Sequence, residues 1–319
     1  KRYATIRYRV LIGDLVLSVG LLVFFQASGW SAHVATWWQE RLASPAAVLL
    51  GYLMIYGIYS YLLELPLHWY RSFRLEHRFG LSRMTIRQWC VRELKQVALG
   101  ASVGVCLIEG LYLLLRWAPE TWPWWAALGW VIVNVVMARV FPTLVVPLFY
   151  KTVPLVDEAL TRRLRELCAR TRLPILGVFR VDLGVETRKA NAALAGIGSS
   201  RRVLLSDTLL ARFSAEEIES VLAHELGHQR HRHIGKLLLL GAAGSVVAFA
   251  LVDMAAAWWI PVLGLQGLAD PAGFPILMLS LSCIGLVSLP LQNAMSRAFE
   301  WQADRFALAM TSQPSAFAQ

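Results

Sequence analysis

The chain has 319 residues, 57% of them hydrophobic and only 16% charged, with 13 tryptophans and a formal net charge of +10. A soluble enzyme carries roughly a quarter of its residues charged, so the composition excludes that class and indicates a membrane protein long enough for two domains. Nucleic-acid binding, the rival reading of a basic surplus, lacks the folded module on which such groups cluster; membrane topology and contact with anionic lipid account for the charge.

Crossing a bilayer takes about 20 mostly apolar residues. Four such spans are predicted early, at about Val10 to Gln26, Ala46 to Leu65, Val97 to Leu115 and Trp124 to Val140. Lys1, Arg2, Arg7 and Arg9 precede the first, but no small-residue cleavage site follows, so it reads as an anchor and not a signal peptide. Arg71, Arg74, Arg78, Arg83, Arg87, Arg92 and Lys95 fill the connection after the second span, whereas those after spans one, three and five hold only Arg41 and Arg116. The positive-inside rule then puts the N-terminus, that connection and the polar region from Lys151 to Arg232 in the cytoplasm. Trp37, Trp38, Trp122, Trp124 and Trp125 flank spans as an aromatic belt does, and Phe141 to Tyr150, with two prolines, reads as a broken or re-entrant piece.

In the polar region, Lys151 to Arg172 has the periodicity of an amphipathic helix ending before Pro174. Three strands are predicted next: Ile175 to Leu183, Ala190 to Leu194 and Arg201 to Leu205, separated by Gly184 and by Gly196 to Ser200. Asn191-Ala192-Ala193-Leu194 reads either as an ordinary strand or as an edge holding an extended peptide beside a metal. Ser214 and Glu217 then form a capping box opening a helix, and inside it lies His224-Glu225-Leu226-Gly227-His228. On a helix both imidazoles of this H-E-x-x-H pattern face one zinc ion, and Glu225 leans toward the open position where it can take a proton from water.

Two further spans are expected, about Leu237 to Ile260 and Phe274 to Leu291. Beyond them, Glu300 and Asp304 lie four apart on a predicted helix, offering a third ligand and a carboxylate to orient a histidine; the alternative is a solvated face with Arg297 and Arg305. His231 and His233 are expected at the membrane interface with Arg230 and Arg232, ligation being the lesser alternative. Cys90, Cys106, Cys168 and Cys283 are scattered and predict free thiols, without a disulfide framework. Arg230, Arg232, Glu216, Glu217 and Glu219 around the motif place it outside the mid-bilayer, at an interface or a watered cavity, which separates it from intramembrane proteases.

The order Lys189 to Leu194 with Gly196, then Arg202 to Leu210, His224 to His228, and Ser296-Arg297 to Asp304 resembles the type I CaaX prenyl protease family of integral-membrane zinc metalloproteases. The likeness extends to Pro142, Pro147-Leu148-Phe149, Lys151 and Pro154. It implies a mainly α, polytopic membrane protein with a small α+β, gluzincin-like protease domain on the cytoplasmic side. Residues 1–150 would be the transmembrane helical domain, and 151–319 the peptidase domain interrupted by a hairpin at about 237–291. By the same resemblance His224, His228 and Glu300 bind one zinc ion, Glu225 is the catalytic base, Asp304 orients a ligand, and Asn191 with Ala192 lines the substrate strand. Relatives carry a later histidine that assists the transition state; this chain stops at Gln319 and does not begin with Met, so it reads as shortened, and Arg297 or the metal itself is the candidate for that role.

The expected partners are a peptide or protein substrate, either lipidated or bare, and membrane lipid, without nucleic acid. The leading expectation is C-terminal processing of a membrane-tethered, CaaX-type prenylated peptide. A quality-control protease acting on misfolded membrane proteins, and a non-catalytic scaffold, are the alternatives.

Overall fold

The computed structural model describes residues 2–184, 186–195 and 201–311. Gly196 and the predicted linker through Ser200 lie outside them. The element order is α1 (Arg2–Ala27), α2 (Trp30–Gln39), α3 (Pro45–Trp69), a π turn, α4 (Leu75–Arg78), α5 (Ile86–Trp117), α6 (Trp122–Val140), a second π turn and α7 (Val146–Phe149). There follow β1 (Thr152–Pro154), α8 (Glu158–Arg170), β2 (Gly177–Val181), β3 (Ala192–Ala195), β4 (Arg202–Ser206), α9 (Asp207–Leu210), α10 (Ala215–Arg230), α11 (His233–Val262) and α12 (Phe274–Thr311). Among the described residues, six helical stretches are long and apolar enough to cross a membrane, and they contain the six predicted spans. The chain is thus a multi-pass integral membrane protein.

Two compact units divide these elements. One comprises residues 1–79, 85–130 and 243–288. Its core joins Phe25, Leu49, Tyr52, Tyr112, Trp122, Val252 and Leu277, while Val16, Ile58, Leu113, Met254 and Val287 stay exposed along the same helices, as lipid-facing side chains do. Two pairs of its polar groups offset the cost of a lone one in hydrocarbon, several kcal/mol: Trp122 Nε1 donates to Asp253 at 2.7 Å, and His68 meets Glu93 at 2.9 Å.

The other unit comprises residues 80–84, 131–242 and 289–319. Its sheet runs β1-β2-β4-β3, with β2 and β4 parallel and both outer strands antiparallel to their neighbours. Leu164 and Leu167 of α8, Val203 and Leu205 of β4, Leu222 and Leu226 of α10, and Ala307 of α12 form one buried core against it. Here the predicted start of the amphipathic helix is corrected. Residues 152–154 pair with β2, and Asp157, accepting from Leu160 N at 2.9 Å, caps the helix only at Glu158. The region from Phe141 to Phe149 stays helical through its π turn and is not a break. The last span and the helix carrying Glu300 are one continuous element of 38 residues.

Candidate metal centre

Ser214 Oγ accepts from Glu217 N at 3.3 Å and the Glu217 carboxylate accepts from Ser214 N at 2.6 Å, so α10 begins where the capping box predicted. Arg163 of α8 ties down its first turn through Glu216 at 3.0 Å and Glu219 at 2.8 Å. Three turns on, Gly227 meets α12 so closely that a Cβ there would stand 2.9 Å from Ala303 Cα. That approach carries the neighbours of Ala303, Glu300 and Asp304, to the two histidines.

His224 Nε2 lies 3.1 Å from His228 Nε2 and 3.2 Å from Glu300 Oε2, and His228 Nε2 lies 3.7 Å from the same oxygen. Ligand atoms of a tetrahedral N/O site with bonds of 2.0–2.1 Å stand about 3.3 Å apart, so these three separations match three corners around one ion. Among the described residues they are the one group of side chains placed so that they could hold a metal ion. Burial holds the His228 imidazole below its ordinary range, and the charge of His224 adds to this, which favours the neutral ring a metal needs.

The outer ring nitrogens are also engaged. His224 Nδ1 faces Asp304 Oδ1 at 2.8 Å, the orienting role expected of that carboxylate. His228 Nδ1 faces His233 Nδ1 at 2.9 Å, and His233 Nε2 faces Gln302 Oε1 at 3.1 Å. The interfacial expectation for His233 is therefore corrected: it is buried and stacked on Phe299 at 4.3 Å. Helical periodicity could not have found it, since Arg232, with φ of 54°, breaks the helix and turns the next residue back toward the site. Gly227 did leave a signal, because glycine in a helix interior costs about 1 kcal/mol and so implies close packing.

Glu225 is half-buried, and burial raises its carboxyl above the ordinary range, opposed by the charge of His224 and by a hydrogen bond from the Leu194 backbone N–H. Leu194 lies on β3, which has β4 on one side only. Ser206 N donates to the Asn191 carbonyl at 2.9 Å, and Asn191 N donates to Ser206 Oγ at 2.8 Å. Alternation along the strand therefore turns the backbone groups of Asn191 and Ala193 toward β4 and those of Ala192 and Leu194 outward. Of the two predicted substrate residues, only Ala192 keeps its main chain free of β4. Arg297 is exposed one turn before Glu300, and among the described residues no hydrogen bond or ion pair joins it to the ligand cluster.

Fold and site together define a membrane protein with a metallopeptidase-type centre. Residues 1–151 match the family described as CAAX prenyl protease N-terminal, five membrane helices, and residues 154–318 match peptidase family M48; the chain belongs to that family, in its CAAX prenyl protease branch. Four of its long apolar helices fall within the first match. Over 212 residues it is 29% identical to CAAX prenyl protease 1 of Saccharomyces cerevisiae, covering 66% of this chain and 47% of that one. Over 320 residues it is 24% identical to the uncharacterized metalloprotease YhfN of Bacillus subtilis, covering 99% and 75%. The chain thus spans about half the length of its yeast relative. Among solved structures, S. mikatae Ste24p shares the fold, with a TM-score of 0.81 over 97% of this chain and 77% of that one at 23% identity.

Proposed function

We propose that this chain is a membrane-embedded zinc endopeptidase that trims the C-terminus of a membrane-tethered peptide, the site facing the cytoplasm. The observation that carries the reading is the triangle of His224, His228 and Glu300 beside Glu225 and the open edge of β3. His224, His228 and Glu300 would hold one zinc ion, which when bound acidifies a water and polarises a peptide carbonyl. Glu225, its carboxyl raised by burial, is the base that takes the water's proton and returns it to the leaving amine. Ala192 offers its outward backbone N–H and carbonyl to an extended substrate, which would lie as an added strand. Asn191 would contribute through its side chain, and Arg297 would approach the developing oxyanion only when substrate is present. The basic N-terminus and the arginine-rich connection between α3 and α5 support the cytoplasmic side.

The test is mass-spectrometric mapping of cleavage on matched prenylated and unprenylated peptides, with metal analysis, for wild type and Glu225→Gln. Zinc near one equivalent in both proteins, with cleavage near the prenylated C-terminus by wild type alone, is expected. Wild-type cleavage rates in the variant would remove the assignment, and lipid-independent cutting at many sites would favour a quality-control protease.

A further inference from the structure

In the unit that carries the metal centre, a separate pocket of about 660 Å³ is lined by Arg170, Arg172, Arg201, Arg230 and Arg232. Leu173, Phe306 and Met310 supply its apolar lining, and none of its described lining residues is acidic. Two helices end at this pocket, α8 at Arg170 and α10 at Arg230. Their terminal carbonyls are equivalent to about half a negative charge each, or roughly one charge against the guanidinium groups of Arg170, Arg172, Arg230 and Arg232, Arg201 having a partner of its own. Most of the positive charge is therefore left for an outside anion.

The helix ends carry a second observation. Arg172 and Arg232 are the described non-glycine residues with positive φ, at 56° and 54°. Each comes just after the capping residue of its helix, a position where glycine would sit without strain. At both ends a strained arginine stands there instead, and both line the same pocket.

We propose that this pocket binds a phosphate-bearing anion, through guanidinium groups that present paired N–H donors to phosphate oxygens. The apolar lining suits the glycerol end of a phospholipid headgroup, and soluble phosphate shares the same charged chemistry. The site is independent of the peptidase reading, since it uses none of the metal-site residues.

The test uses the full chain in phosphatidylcholine nanodiscs titrated with inorganic phosphate and followed by ³¹P NMR. In parallel, native mass spectrometry measures retention of phosphatidic acid against phosphatidylcholine. Arg172→Asn with Arg232→Asn removes two charges while keeping a residue that accepts the left-handed backbone. Arg162→Gln with Arg305→Gln removes two charges outside the pocket. Saturable binding by wild type, weakened about 100-fold by the first pair and within about twofold by the second, is expected from roughly tenfold per charge-assisted contact. Phosphate and phosphatidic acid both bound would mean that the phosphate group suffices, and phosphatidic acid alone that a lipid is the source. Binding of neither, or equal losses in the two paired variants, would overturn the site.

Discussion

His228 and His233 meet through their Nδ1 atoms at 2.9 Å, and this contact fixes which nitrogen of each ring can carry a proton. Gln302 Oε1 can only accept, so His233 donates to it from Nε2 and is left with a bare Nδ1. His228 must then donate from its own Nδ1, which leaves its Nε2 lone pair aimed at Glu300 and the metal position. On the other side, Asp304 fixes His224 in the same tautomer. Both of the rings that would hold a metal are thus oriented by partners outside the His224, His228 and Glu300 triangle.

His233→Phe keeps the ring stacked on Phe299 but removes the acceptor. Metal affinity, read by competition with a fluorescent chelator, should fall about 10- to 100-fold, the usual loss for an orienting partner. His233→Gln, which can still accept, should recover part of it. Unchanged chelator competition in the Phe variant would show that Gln302 and His233 only fill space.

Gly227→Ala should weaken the metal site without touching a ligand. Its new Cβ would meet Ala303 Cα at 2.9 Å and the Ala303 carbonyl at 3.1 Å, and backbone atoms cannot rotate away. The helix must shift, moving Glu300 and Asp304 with it. Although alanine adds helix propensity, overpacking of this kind typically costs 1–3 kcal/mol. A lower thermal midpoint together with looser metal binding is the expected pair of readings; a higher midpoint with unaltered metal affinity would contradict the tight approach.

The sequence made the histidine pair and its helix legible because i to i+4 spacing and a capping box are local signals, and α10 starts at the residue they indicate. Six membrane helices were readable for the same reason, apolar length being a property of a single segment. What stayed hidden depends on long-range placement. The strand at 152–154 exists only because β2 pairs with it, and His233 reaches His228 only through the left-handed turn at Arg232. The outward direction of Ala192 followed from the register of β3 on β4, which no run of residues reveals.

Glu216 gives a pH prediction. A hydrogen bond from its own backbone N–H, followed by those from Arg163, holds its carboxyl below the ordinary carboxylate range. A depressed folded value means that the contribution is present above the unfolded pKa, about 4.3, and is lost as pH falls through the folded one. Glu216→Gln should therefore lower the thermal midpoint slightly near neutrality, because the group is exposed and screened. As pH falls below the unfolded value and then through the lower folded one, the gap should close. A gap of constant size from neutral to acid pH would mean that ionisation of Glu216 has no part in it.

Proline substitutions on β3 separate substrate pairing from sheet stability. Asn191 and Ala193 direct their backbone toward β4, whereas Ala192 points away from it. Ala192→Pro deletes an N–H that bonds nothing in the sheet, and an edge strand tolerates proline on that side. Ala193→Pro deletes a ladder donor one residue later. If an extended peptide pairs with this edge, Ala192→Pro should cut kcat/KM about tenfold or more through KM, with the thermal midpoint nearly unchanged. Ala193→Pro should instead lower the midpoint by several degrees. Full activity in Ala192→Pro would place the substrate elsewhere, even with the metal centre intact.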